Sequence, residues 1–395
     1  MSLKIGGTIE KVNGQELFYS EFAEKYLAGN QPVLLTGLMD DWIASKHWVS
    51  SNGRPNLIFF PTHFGKSKVQ VADCDTREFT DQKRIEMSVS EFVNHWLQGS
   101  MENHDVNGKS VLYLKDWHFV KWLLKYYTNM KNTVYNIFDD ISETDFPGFK
   151  KAIWLECIQE QNEIIFVPSG WYHQVHNLED TISINHNWFN SYNLSWVWDL
   201  LLRDYKEAKE YIEDIKDICD DFEGLCQRNL AANTGMNFND FFIFISRFSL
   251  ANVVELYYLR GELNSENSIW HCSAIIKHFA LNLSSIRKTA LKMKSEGVKG
   301  NLGIINLLET LSDPKFLKLC TGLGRIYSVI HEEENWSCTM KKALMADFAK
   351  YGSQVCSPED LITFIDYAVS KLSSNCDEQN PLLSVLYEIQ PHEQN

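Results

Sequence analysis

The sequence predicts an α+β fold, with a β-rich first part and an almost wholly helical second part that meet near residue 190. Three observations carry the prediction. Before residue 190, short apolar runs are punctuated by Gly, Pro and polar clusters, the pattern of strands joined by turns. Residues 181–188 alternate at period two, with Ile182, Ile184, His186 and Trp188 on one face and Thr181, Ser183, Asn185 and Asn187 on the other. Beyond residue 190 the period changes. Val197, Leu201, Tyr205, Ala208, Ile212, Ile215 and Cys219 recur at intervals of three and four, one continuous helical stripe.

In the first part, Ser20 caps a helix carrying Phe22, Tyr26 and Leu27, which Gly29 ends. Residues 32–35 form a short buried strand stopped by Gly37, and residues 68–72 a second one before the polar turn at 73–75. Ser88 and Glu91 stand three apart ahead of Phe92, Val93 and Trp96, a capping box that opens a helix. Residues 110–114 form a third strand. Residues 152–159 and 163–167 follow as two more, separated by a polar turn, and the latter runs into the tight turn Pro168-Ser169-Gly170. A strand after Trp171 and the alternating strand at 181–188 complete the set. The polar face of the last suits the wall of a small-ligand pocket or, equally, a solvated surface.

In the second part, the stripe from Val197 has Glu207, Glu210, Glu213, Asp214 and Asp217 on its other faces. It fits ordinary packing or a dimer seam, and it is too short for a long coiled coil. Asn237 with Asp240 opens a strongly apolar helix, and Asp313-Pro314 and Ser357-Pro358 mark further helix starts. The positive cluster Arg287, Lys288, Lys292, Lys294 and Lys299 is a solvated helix face or a contact for RNA or an acidic partner.

Composition excludes several classes. At 44% apolar and 23% charged residues the chain is neither disordered nor low-complexity. Its 37 basic against 52 acidic residues give a net charge of −15, which repels phosphate backbones and argues against bulk nucleic-acid binding. No run approaches eighteen uninterrupted apolar residues, so no membrane span is expected. The opening MSLKIGGTIEKVNGQELF lacks the apolar core of a signal peptide. Nine cysteines, an odd number with no Cys-x-x-Cys pair, suit reduced thiols in the cytoplasm or, alternatively, the nucleus.

The string VPSGWYHQVHNLEDTISINHNW (167–188) resembles the distal half of a JmjC domain, the jumonji class of Fe(II)- and 2-oxoglutarate-dependent oxygenases. QPVLLTGLMDDW (31–42), VLYLKDWH (111–118) and TGMNFNDFF (234–242) extend the resemblance over most of the chain, on the side of the protein hydroxylases. It implies a double-stranded β-helix, or jelly-roll barrel, preceded by helices within 1–190, and a helical region over 191–395. It also implies iron held by an early His-x-Asp or His-x-Glu pair and one distal histidine, leaving three positions for 2-oxoglutarate and O₂. His173 matches the distal ligand. Asn185 and Asn187 match positions facing the co-substrate, and Lys121 matches the lysine that binds 2-oxoglutarate. The implied activity is lysyl hydroxylation of a protein substrate, a translation-termination factor, in the cytoplasm.

The proximal pair is missing. Of the twelve histidines, only His331 with Glu333 satisfies His-x-Asp or His-x-Glu, and it lies 158 residues after His173, in the helical part. His104 and Asp105 are adjacent, so on a strand they face opposite ways. Only 54 residues separate His118 from His173, where several strands are expected. The sequence therefore predicts an internally shortened barrel with its junction at residues 119–121, a chain with no catalytic residue to assign, and the alternative role of a non-catalytic scaffold or regulatory isoform. A cupin-type protein using another metal would need His173, His176 and His186 to converge, which their alternation opposes.

Overall fold

The computed structural model describes residues 4–78, 81–101, 111–114, 136–262, 273–297, 302–327, 342, 344, 346–348 and 354–373. The chain divides into two compact units, one of Met1–Phe18 with Gly29–Asn187 and one of Tyr19–Ala28 with Trp188–Asn395. The helix expected from Ser20, seen as Tyr19–Phe22 followed by a π-helical turn Ala23–Ala28, thus belongs to the second unit.

The first unit holds eight strands among its described residues: β1 Lys4–Thr8, β2 Glu10–Asn13, β3 Val33–Thr36, β4 Lys68–Glu78, β5 Asp81–Ser88, β6 Leu112–Leu114, β7 Ile153–Glu156 and β8 Ile164–Phe166. They form three small sheets. β1 pairs with β7 in parallel. β3 lies between β2, parallel to it, and β8, antiparallel with Leu34 opposite Ile165. β4 lies between β5 and β6, both antiparallel. Val33 and Leu34 are fully buried, as a central strand requires.

Helix α1 (Val89–Met101) opens on the expected capping box. The Glu91 backbone N–H donates to Ser88 Oγ at 3.2 Å, and Glu91 Oε2 accepts the Ser88 backbone N–H at 2.6 Å. Phe92 and Val93 of this helix join Phe60, Val69 and Val71 in an apolar core, with Ile182 packed against it.

Two expected strands do not form. Residues 171–177 and 181–188 carry no regular secondary structure. Extended backbone becomes a strand only when a neighbour pairs its N–H and C=O groups, and among the described residues none does. The sheets likewise do not close into a barrel among the described residues.

The second unit is helical: α2 Leu194–Tyr211, α3 Phe222–Thr234, α4 Phe238–Glu262, α5 Ser273–Ser295, α6 Pro314–Ile326 and α7 Pro358–Ser373, with a two-stranded pairing of Ile305–Asn306 and Gln354–Val355. Helix α2 buries Val197, Trp198, Leu201 and Ala208. It ends at Tyr211, and Glu213–Ile218 continues as a 3₁₀ turn, so the stripe read through Cys219 spans two elements. Asn237 and Asp240 cap α4 reciprocally, and Asp313 caps α6. Residues Phe238–Arg260 are long and apolar enough to cross a membrane, yet Phe241, Phe242, Ile245, Ala251 and Val253 there are core.

Arg287, Lys288, Lys292 and Lys294 of the basic run lie on α5, and three of them are paired within this unit. Arg287 forks onto Asp366, Lys292 meets Asp199 at 2.6 Å and Lys294 meets Glu359 at 2.8 Å. These contacts hold α5 to α7 and α2, which disfavours the expected alternative of an RNA contact. Lys299 lies outside the described residues.

Candidate functional site

Strand β8 delivers the chain into the turn that precedes His173. Gly170 takes φ of 84°, the left-handed region that glycine enters without strain, and the Trp171 N–H closes the turn on the Pro168 carbonyl at 3.3 Å. The Trp171 indole N–H then donates to the Asn30 carbonyl at 3.0 Å. At the start of β8, buried Glu163 accepts from Lys11 Nζ at 2.6 Å and from the Glu160 backbone N–H at 2.7 Å. The Glu163 hydrogen bond raises the Lys11 pKa above the ordinary lysine value. Both contacts anchor the turn that leads from β7 into β8.

His173 itself is exposed. Its Nδ1 lies 3.5 Å from the Trp171 carbonyl, at the outer limit of a hydrogen bond. Next to it, Gln174 Oε1 accepts the Ile137 N–H at 3.0 Å, and Gln174 Nε2 donates to Asn136 Oδ1 at 3.0 Å. The same amide nitrogen approaches His176 Nε2 at 2.6 Å, so that nitrogen is the acceptor and the ring proton belongs on Nδ1. The Phe138 ring packs against Trp154 and His176, at 5.3 and 5.5 Å. Further on, the Trp96 indole N–H donates to Asp180 Oδ1 at 3.1 Å.

Asn185 is exposed, Asn187 is half-buried, and Lys121 lies outside the described residues. Among the described residues no group of three His, Cys, Asp or Glu side chains could hold a metal ion, so His173, His176 and His186 do not form a cupin-like centre. Sequence reasoning missed the roles of Gln174, Trp171 and Trp96. Each acts through a contact at least 37 residues away in sequence, which no local pattern encodes.

Residues 100–188 match the JmjC domain, hydroxylase, family. The arginine-specific demethylase JMJ20 of Arabidopsis thaliana is 48% identical over 459 positions, covering 93% of this chain and 98% of the relative. This chain belongs to the JmjC family. Other JmjC relatives are the 2-oxoglutarate and iron-dependent oxygenases JMJD4 of Danio rerio, 29% identical over 58% of this chain and 72% of the relative, and of Homo sapiens, 26% identical over the same shares. No solved structure matches the chain.

Alignment length carries its own information. The alignment with the Arabidopsis relative spans 459 positions against the 395 residues of this chain, so at least 64 positions of the relative have no counterpart here. The 306 positions shared with the zebrafish relative draw on only 58% of the chain, the same kind of excess.

Among the described residues, the side chains present do not fit Fe(II) ligated as the JmjC resemblance implies. That ligation needs two imidazoles and a carboxylate converging on one point. His173 is exposed, no group of three His, Cys, Asp or Glu side chains suited to a metal occurs among the described residues, and residues 1–172 contain no His-x-Asp or His-x-Glu pair. One imidazole is too few donors to retain Fe(II).

Proposed function

We propose that this chain is a non-catalytic form of a JmjC protein oxygenase that still binds a basic segment of a protein. The observation that carries the reading is the solitary His173, exposed and without a proximal pair anywhere ahead of it in the sequence. The lineage's substrate is a cationic side chain on a protein. The sequence resemblance points to lysine, hydroxylated on a translation-termination factor in the cytoplasm. The name of the Arabidopsis relative points instead to arginine. The two share a positive charge, and a chain of net charge −15 attracts either by long-range electrostatics.

The test is anaerobic incubation of the intact chain with Fe(II) and 2-oxoglutarate, followed by air and assay of bound iron and succinate. Calorimetry with lysine-rich and methylarginine-containing peptides runs beside it. Negligible iron and succinate with retained peptide binding support the reading. Stoichiometric iron with succinate overturns its first half, and no binding of either peptide overturns its second.

A further inference from the structure

We infer that residues 22–30 act as a clasp that holds both ends of the 171–188 segment and so positions the turn bearing His173. The inference does not rest on the reading above, because neither iron nor peptide binding enters it.

One end is the Trp171 indole, which donates to the Asn30 carbonyl at 3.0 Å. The other end is Trp188, whose ring stacks on Phe22 with centroids 5.7 Å apart and planes within 8°. The two tryptophans stand 17 residues apart, yet both partners fall on one stretch of nine residues. Each contact lies inside one of the two units, and the chain over 22–30 links them.

The clasp is built to be stiff. Its middle is the π-helical turn Ala23–Ala28, in which Ala23, Tyr26 and Leu27 are buried. Such turns are rare and recur at functional sites. It ends on Asn30, whose φ of 49° is left-handed backbone that asparagine tolerates better than most residues. Just ahead of it, Tyr19 packs edge-on against Tyr327 at 5.2 Å within the helical unit. The segment depends on such contacts, because residues 171–177 and 181–188 have no strand partner among the described residues. Gln174 and Asp180 hold its middle, not its ends. Releasing one end therefore leaves little backbone pairing to restrain it.

Limited proteinase K digestion of the full chain, with cut sites read by mass spectrometry, tests this, since cutting tracks the open population of a segment. Tyr172, 91% exposed beside Trp171, reports the first end, and Ile184, 52% exposed, reports the second. Trp188→Leu is expected to raise cutting beside Tyr172, at the opposite end, about fivefold, which is what the worth of one ring stack converts to. Inserting two glycines between Ala28 and Gly29 keeps every contact residue but lengthens the clasp, and is expected to raise cutting at both ends. Asp221→Ala removes the α3 cap and touches nothing in the clasp, so the pattern is expected to stay unchanged. A rise confined to the neighbourhood of residue 188, an insertion without effect, or an equal rise in Asp221→Ala overturns the inference. If the first two variants do not fold, Trp171→Phe decides. More cutting around Ile184 then supports the clasp, and a change confined to Tyr172 overturns it.

Discussion

Trp171 donates its indole N–H to the backbone carbonyl of Asn30 at 3.0 Å, tying the turn ahead of His173 to the loop that leads into β3. A side chain 141 residues away in sequence thus fixes where the 171–188 segment begins. Trp171→Phe keeps most of the apolar body and removes the donor. The expected cost is ~1 kcal/mol, the net worth of one hydrogen bond, read as a lower urea midpoint with unchanged slope. No change would show that the turn is held by Gly170 and Pro168 alone.

The capping box makes a pH prediction. Ser88→Ala removes the acceptor for the Glu91 backbone N–H and is expected to cost ~1 kcal/mol at pH 7, typical of a lost N-cap. Hydrogen bonds from the Ser88 hydroxyl and backbone N–H hold the Glu91 carboxyl below its ordinary pKa. Because the folded value is depressed, that contribution is complete above the ordinary glutamate value and disappears as pH falls through the folded one. Melting curves of the two proteins are therefore expected to differ at pH 7 and to draw together in acid. A gap that stays constant from neutral to strongly acidic pH would show that Glu91 takes no part.

In the helical unit, Asn282 Nδ2 donates to Asn252 Oδ1 at 2.8 Å and approaches the Tyr327 hydroxyl at 3.3 Å, with both asparagines buried. Asn282→Leu takes the donor from the buried Asn252 Oδ1, while Asn252 Nδ2 keeps the Phe248 carbonyl, at an expected cost of about 2–3 kcal/mol. Replacing both asparagines by Leu is expected to cost less than the sum of the two single changes, because neither asparagine is then left facing a lost partner. Denaturant titrations of the three variants give the coupling directly, and strict additivity would refute it.

Arg287 meets Asp366 through two parallel hydrogen bonds, Nε to Oδ1 at 2.8 Å and Nη2 to Oδ2 at 3.1 Å. Both groups are partly exposed, which limits the pair to about 1 kcal/mol. Arg287→Lys retains the charge but not the fork and is expected to recover less than half of what Arg287→Ala loses. With Lys292 and Lys294 also paired, no tight RNA binding is expected from this face. A gel-shift at physiological salt showing submicromolar affinity would contradict that.

Much of the fold was legible because it is local. The Ser88–Glu91 box, the Asn237–Asp240 cap and the Asp313-Pro314 start are each set by residues within three positions of one another, and all three appear as read. The strands at Val33–Thr36 and Ile164–Phe166 carry unbroken apolar runs and were equally plain. The 181–188 segment was not, although its alternation is the clearest in the chain. Period two records which face a strand would bury, while a strand forms only when another segment pairs with it. At the candidate site, His173 could be picked out from its motif, but its exposure could not. Burial depends on what the rest of the chain brings to it, and among the described residues no group of three His, Cys, Asp or Glu side chains suited to a metal forms there.

Iron content of the unaltered chain is the most direct measure of the central claim. After anaerobic loading with Fe(II) and desalting, the chain and its His173→Ala variant are expected to carry the same trace of metal, well below one tenth of an ion per chain, since a lone imidazole does not retain Fe(II). One iron per chain in the unaltered protein, lost in His173→Ala, would contradict it.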